Sequence, residues 1–426
     1  MPVQSDDSPE TRRCATGKHI SPSTDPYRLS MQSFQCDVLV VGAGPAGSMA
    51  ARTAAEGGAD VIIIEEHLVS GTPVHCAEGL SAGGILDGGL EPLEPYVSQR
   101  ISKARVVVPN GNFIELTSDN WTGYTLNRVA FDKALADNSE KAGARMMTRT
   151  RATGVIKDGG RVVGVKAVSC GEPVEFMAKV VIGADGHSSV VRRSAGLERY
   201  FRDYVTCAQY RLGGLNLEDP SVDEFYMGAK YAPGGYAWVF PKSRMVANVG
   251  IGVRRTHTRP AIEYLKDFVA GDPRFRGAEV LLRNGGICPV SGTLDRIVAD
   301  GLMLVGDAAG QLMPMTGAGI HSGIEAGKMA GRVAAEAVEE GDVSEGRLSV
   351  YRREFDVYWG KRIRDSCRVL EMLDRFTDED LNTLSGVITN DDVLSLAYGI
   401  NVAGTVAGLV ARSPRKIIRL IGAYLR

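Results

Sequence analysis

Six residues near the start constrain this chain more than any other part of it. Cys36 to Val41 (CDVLVV) is a short β-branched run that reads as a buried strand. It passes straight into Gly42-Ala43-Gly44-Pro45-Ala46-Gly47, a complete GxGxxG. The alanine-rich SMAARTAAEGG that follows predicts a helix, and Asp60 to Ile64 predicts a second strand ending at Glu65. A GxGxxG alone is a weak signal. Set between strand and helix, with an acidic residue 23 positions after Gly42, it is a dinucleotide fingerprint. Gly42 permits the tight turn, Gly44 lets backbone approach a pyrophosphate, and Gly47 lets helix and strand pack closely. The helix N-terminus offers its N–H groups and positive dipole end, and Glu65 is placed to accept from a ribose hydroxyl.

Composition bounds the rest. At ~150 residues per domain, 426 residues predict roughly three structural units. Apolar content of 44% with 23% charged residues excludes global disorder, and a net charge of −2 excludes a nucleic-acid footprint. Glycine is in excess, 51 of 426 against ~7% in average usage, with no Gly-X-Y period. Seven scattered cysteines form no CxxC pair and no Cys/His cluster, so no metal site is expected and free thiols in a reducing cytoplasm are. Met1 to Ser33 lacks an apolar core and reads as a disordered tail, or as a start-site artefact with Met31 the true beginning. Val393 to Ala411 is uncharged for nineteen residues. Ser395, Asn401 and Thr405, with Gly399, Gly404 and Gly408, argue for a buried or interface-lying helix over a membrane span. The basic, amphipathic SPRKIIRLIGAYLR after it suits a membrane surface or a packed terminal helix.

Three later segments decide which dinucleotide is bound. Val180 to Arg193 (VVIGADGHSSVVRR) predicts a strand, a turn and a helix start. Leu302 to Gly310 (LMLVGDAAG) predicts a strand running into Gly306-Asp307 and a helix, with Asp307 suited to a ribose or ribityl hydroxyl. Gly317-Ala318-Gly319-Ile320 opens a long helix whose N-terminus can stabilise a reduced flavin. Flavoproteins fold such segments back onto one cofactor, and the set resembles the FAD-binding group that includes aromatic-ring hydroxylases.

Pro73-Val74-His75-Cys76-Ala77-Glu78-Gly79-Leu80-Ser81, the run from Pro233 through Tyr236, Trp238 and Phe240 to Pro241-Lys242 with Gly250, and Gly306-Asp307-Ala308-Ala309-Gly310 narrow the resemblance. The last lacks the histidine usual in hydroxylases at its fifth position. From Cys36 to the C-terminus the chain resembles the geranylgeranyl reductase family, and within it the archaeal members that act on digeranylgeranylglycerophospholipids.

That resemblance implies an α/β two-domain flavoprotein. A Rossmann-like FAD-binding domain would span 34–105, 124–200 and 295–340, with an antiparallel β-sheet substrate domain (106–123 and 201–294) inserted and a helical region over 341–426. Gly42, Gly44, Ala46, Gly47, Glu65, Cys76, Ala77, Gly79, Arg128, Ala152, Asp307, Gly319 and Ile320 would contact FAD. Cys76, Tyr236 and Trp238 would serve catalysis, which would be saturation of isoprenoid C=C bonds by hydride from reduced FAD. An external donor (a ferredoxin, a nicotinamide or a deazaflavin) would reduce the flavin. The partner would be a polyprenyl lipid, and the protein cytoplasmic or peripheral on the membrane.

The residues themselves leave alternatives. Tyr236, Trp238 and Phe240 alternate on one strand face, as either plain core or a wall for an apolar chain. Lys242 suits a lipid phosphate or solvent. Arg128 suits a pyrophosphate or a flavin edge, or an ion pair at a helix start. Cys76 suits a small apolar loop residue or a flavin neighbour, and His75 and His321 suit polar packing. Phe355 to Leu381 has helical apolar spacing. An FAD monooxygenase on the same scaffold and a non-catalytic prenyl-binding escort are the competing functions.

Overall fold

The structure is a computed structural model and describes residues 32–117, 122–198, 200–417 and 420. The tail expected over Met1–Ser33 lies outside the described residues as far as Met31, as does most of the basic C-terminal segment.

The first sheet is built around β1 (Gln32–Val41), with β2 (Val61–Ile64) on one side and β11 (Glu172–Gly183) on the other, all parallel. It continues in parallel through β8 (Arg145–Met147) beyond β2 and β18 (Leu302–Leu304) beyond β11. β17 (Val298–Ala299) pairs antiparallel with β18, and β9 (Thr150–Asp158) and β10 (Arg161–Ser169) add an antiparallel hairpin on β11. Val38–Val41, Ile62–Ile64 and Val180–Ile182 are buried on both faces, as a helix-covered parallel sheet requires. β1 starts four residues before the apolar run that announced it. Gln32 and Ser33 pair with Val174 and Glu175, and Phe34 stacks on Phe176 at 5.1 Å.

α1 (Pro45–Glu56) and the long α6 (Ile320–Glu340) cover this sheet. They meet backbone to backbone: a Cβ on Gly327 or Gly331 would fall 2.2–2.3 Å from the carbonyl oxygens of Ala46 and Ala50. Part of the glycine excess therefore serves helix packing. α2 (Ala82–Asp87), α3 (Arg128–Lys141) and the short α4 (Val190–Ser194) complete this half, with a small antiparallel sheet of β3 (Gly79–Ser81), β7 (Gly123–Leu126) and β4 (Val97–Ile101) beside them.

The second sheet has seven strands in the order β16 (Glu279–Cys288), β12 (Val205–Gly213), β15 (Ala247–Arg254), β14 (Tyr236–Pro241), β13 (Val222–Met227), β5 (Lys103–Val107) and β6 (Phe113–Thr117). It is antiparallel except where β5 lies parallel to β13. The expected boundary between 105 and 106 falls inside β5. α5 (Ala261–Gly271) packs Leu265 against Ala237, Val239, Val249 and Ile251 on one face. The side chains that alternate with these, Tyr236, Trp238 and Phe240, occupy the other face.

The C-terminal region is helical: α7 (Glu345–Phe355), a π-helical turn at Asp356–Gly360, then α8 (Lys361–Asp374), α9 (Asp378–Ser385), α10 (Asn390–Ala397) and α11 (Val402–Arg412). The uncharged stretch 393–411 is two helices, not one, divided where Asn401 takes a positive φ of 46°. No described helix is long and apolar enough to cross a membrane.

Candidate active site

The first turn is built as its glycines demand. Gly42 has φ 100° and packs on the Ala184 carbonyl, and a Cβ on Gly47 would lie 1.9 Å from the Gly42 oxygen. Gly44 differs: no protein atom lies within 4 Å of where its Cβ would sit, and it N-caps α1 without a side-chain cap. Protein-free space in front of uncapped helical N–H groups is an anion cradle. Ala46 points to Gly306 and Gly323. Glu65 is nearly buried; one carboxylate oxygen accepts from Ala43 N–H (2.9 Å), the other from the His67 backbone N–H (2.9 Å) and lies 2.7 Å from its Nδ1. Its remaining lone pairs are free for a hydroxyl. Ala152 is buried on β9 in the same core.

On the far side of α1, Gly306 (φ 62°) leads into a 3₁₀ turn, Gly306–Ala309, rather than into the helix expected there. Asp307 hangs from this turn, with one carboxylate oxygen 3.3 Å from where a Gly319 Cβ would lie. Its carboxylate makes no hydrogen bond among the described residues, although its backbone carbonyl accepts from Gly310 N–H. Burial raises its carboxyl to about 6, against the pull of Arg128. Gly319 N-caps α6 with no side-chain cap, and Ile320 is its first residue. The second predicted turn is structural: Asp185 accepts from Ser189 Oγ and from Val190 and Val191 N–H, capping α4. Two uncapped helix starts, an accessible glycine cradle and two carboxylates with spare acceptor capacity fit FAD.

Arg128 is an ion pair. Its Nε and Nη2 each donate to Asp132 at 2.7 Å, with Asp132 only 2% exposed. Its charge still bears on both Asp307 and the Cys76 thiol, whose pKa burial raises and Arg128 lowers, with a net rise.

The Cys76 segment is laced to the second sheet. Trp238 Nε1 donates to Gln209 Oε1 (2.8 Å), and Gln209 Nε2 donates to the Cys76 carbonyl (3.0 Å). Asn248 Nδ2 donates to the Ala77 carbonyl at 3.0 Å. Gly79 packs closely on Phe240: a Cβ there would lie 3.1 Å from the ring, which would have to shift to admit it. At the centre is Glu78, 1% exposed and at φ 75°. It receives Lys242 Nζ (2.8 Å), Arg211 Nη2 (2.5 Å), Asn248 Nδ2 (2.7 Å) and the Arg128 backbone N–H (3.1 Å). Burial pushes its pKa up, but Lys242 and the other donors outweigh this and hold the carboxyl below its usual range. Lys242 is thus committed to Glu78 and the Leu126 carbonyl. Its carboxylate partner lies 164 residues away in sequence.

The aromatic face is contiguous. Tyr236, Trp238, Phe240 and Phe225 of β13 have ring centroids 5.2–6.4 Å apart. Trp238 covers Gly250, where a Cβ would come within 2.3 Å of the indole. The Tyr236 hydroxyl donates to the Thr316 carbonyl at 2.5 Å and sits 3.8 Å from where a Gly317 Cβ would begin. Burial raises its pKa well above that of a free phenol. His75, exposed, bonds the Gly285 carbonyl, and His321 bonds Asp87 and meets the Trp359 ring edge-on.

Beyond Tyr236 and Thr316 opens an apolar cavity of ≈ 200 Å³. Val106 and Leu116 (β5, β6), Met227 (β13) and Leu373, Leu384 and Leu394 (α8 to α10) are among its lining residues. No short sequence motif announces this cavity, because its walls come from β5, β6, β13 and three C-terminal helices.

These features define an FAD-dependent oxidoreductase: residues 37–203 match the family of FAD dependent oxidoreductases, and 203–287 match the geranylgeranyl reductase catalytic domain. The chain is 41% identical over 394 residues to digeranylgeranylglycerophospholipid reductase 1 of Methanothermobacter thermautotrophicus, covering 91% of this chain and 98% of that one. It is 39% identical over 395 residues to the corresponding reductase of Methanothrix thermoacetophila, covering 91% and 99%. The crystal structure of a geranylgeranyl bacteriochlorophyll reductase-like protein from Thermoplasma acidophilum superposes with a TM-score of 0.84 at 34% identity, over 92% of this chain and all of that one. The chain belongs to the geranylgeranyl reductase family. It is an oxidoreductase whose cofactor is FAD.

Proposed function

We propose that this protein saturates the C=C bonds of the geranylgeranyl chains of digeranylgeranylglycerophospholipids. The observation that carries this reading is the apolar cavity whose inner end is Tyr236 and Thr316, next to the Gly317–Ile320 segment. A long isoprenoid gains ~25 cal/mol for each Å² it removes from water there, and relatives over nine-tenths of the chain bear the name of this reaction. When bound, FAD would supply the hydride for one alkene carbon, and the other carbon takes a proton. An isolated alkene needs no enolate stabiliser, so the protein's part is positioning and exclusion of water. Tyr236 holds the Thr316 carbonyl at the end of the cavity, which Phe225 also lines; Trp238 and Phe240 continue the aromatic face beside them, and the Glu78 cluster fixes the Cys76 segment against that face. The Cys76 thiol, kept neutral by burial, presents a small apolar surface there. Peripheral contact with the membrane belongs to this reading; Val357, Tyr358 and Ile400, all exposed near Arg362, support it.

The test is anaerobic incubation with dithionite and a geranylgeranyl phospholipid, followed by mass spectrometry. One H₂ gained for each double bond reduced is the expected product. An oxygen-dependent, hydroxylated product without saturation would instead favour a monooxygenase.

A further inference from the structure

Asp223 lies on β13 between Val222 and Glu224, and the strand's alternation places it with Phe225 and Met227 on the cavity face. It is 7% exposed, and its Oδ1 is buried with no hydrogen-bond partner among the described residues. The nearby cations are spent on the opposite face. Arg274 binds Glu224 through both terminal nitrogens at 3.0 and 2.9 Å, and Arg105 stands 3.8 Å from the same carboxylate. On the cavity face Asp223 lies opposite Ala104 of β5, and Phe225 and Tyr236, whose hydroxyl is committed to Thr316, line the same cavity. Burial, with the charge of Glu224 behind it, lifts the carboxyl's pKa well above its ordinary range and so favours the form that carries an O–H.

A donor without an acceptor in a hydrocarbon cavity points to its ligand. An isoprenoid hydrocarbon chain offers one kind of acceptor, the π-electrons of its C=C bonds; a saturated chain offers none. We propose that Asp223 is a further substrate-contacting residue, whose carboxyl O–H donates to the face of an isoprenoid C=C bond and so holds an unsaturated chain in preference to its saturated counterpart. The reading rests on the cavity taking the prenyl chain. It gives the reductase a means of releasing saturated segments while retaining unsaturated ones.

Full-length protein with oxidised flavin, which cannot turn over, is titrated with a phospholipid carrying two geranylgeranyl chains and with its diphytanyl counterpart. Wild type binds the unsaturated lipid more tightly, by roughly two- to five-fold for a weak O–H···π contact. In Asp223→Leu that ratio falls to one, whereas Asp223→Asn, which keeps an N–H donor, retains part of it. An unchanged ratio in Asp223→Leu overturns the proposal. So does equal weakening of both lipids, which marks a headgroup contact. Infrared difference spectra of wild type give a second reading independent of how the variants fold: the carboxylic-acid C=O band, assigned by its loss in Asp223→Asn, shifts with the geranylgeranyl lipid only. A shift with both lipids marks an ordered water as the partner and also overturns it. If neither lipid binds, the proposed function itself fails, and this inference with it.

Discussion

Glu78 and Asp223 are both nearly buried carboxyls on the side of the second sheet that bears Tyr236, yet they stand in opposite surroundings. Glu78 accepts from Lys242, Arg211, Asn248 and a backbone N–H, and its pKa is lowered. Asp223, flanked by Ala104 and Phe225, has none of these and its pKa is raised. A buried charge met by charged and neutral donors is a fastening, here between the Cys76 segment and the sheet. A buried acid left without partners is a vacancy in the hydrogen-bond inventory, and it lies where an apolar ligand belongs. One sheet thus carries a closed polar seam and an open apolar cavity, divided by the row Tyr236, Trp238 and Phe240.

The contrast is most exposed at Glu78. Glu78→Ala leaves the partly buried Lys242 and Arg211 without their counter-charge, and urea unfolding should show a loss of about 2–4 kcal/mol. Asp223→Leu should cost nothing or raise stability, because it removes an unpaired polar group. Equal losses for the two would erase the distinction.

Opposite pH slopes follow from the pKa directions. Glu78, lowered from 4.5, contributes its full stability above that value and loses it as pH falls through the folded pKa. Asp307 is raised from 3.8 to about 6, so the folded protein binds the extra proton in that window. Its contribution is full below 3.8 and lost as pH rises towards 6, up to about 2–3 kcal/mol. Flavin-free protein should therefore lose stability between pH 4 and 6 through this group, and Asp307→Asn should flatten that part of the profile. An unchanged profile in the variant would mean that Asp307 is not protonated there.

A smaller effect is expected at the division itself. Tyr236→Phe removes the bond to the Thr316 carbonyl, worth about 1 kcal/mol. It should lower kcat with little change in flavin retention, read by flavin absorbance after gel filtration. Flavin loss without a change in kcat would assign Tyr236 to the cofactor instead.

The nucleotide half was legible because its chemistry is local. Gly42, Gly44 and Gly47 lie within six residues, and Gly317, Gly319 and Ile320 within four. Tyr236, Trp238 and Phe240 were readable by strand alternation, and Ala237 and Val239 do fall in the core on the other face. What escaped was long-range. Glu78 sat unmarked between Ala77 and Gly79, because its partners Arg211, Lys242 and Asn248 are more than 130 residues distant. Lys242 read as a lipid-phosphate contact or a solvated strand end for the same reason. Asp223 gave no signal at all, since a lone aspartate in a strand is ordinary until its neighbours are known. α6 was predicted, but Gly327 and Gly331 acquire meaning only against the carbonyls of α1.

The central claim is that the lipid chain reaches the flavin through the cavity beyond Tyr236. Met227→Trp narrows that cavity from β13, a strand that carries none of the residues assigned to FAD. In the anaerobic assay, the account predicts that this variant retains its flavin absorbance and no longer saturates the geranylgeranyl phospholipid. Undiminished saturation with the cavity narrowed would contradict it.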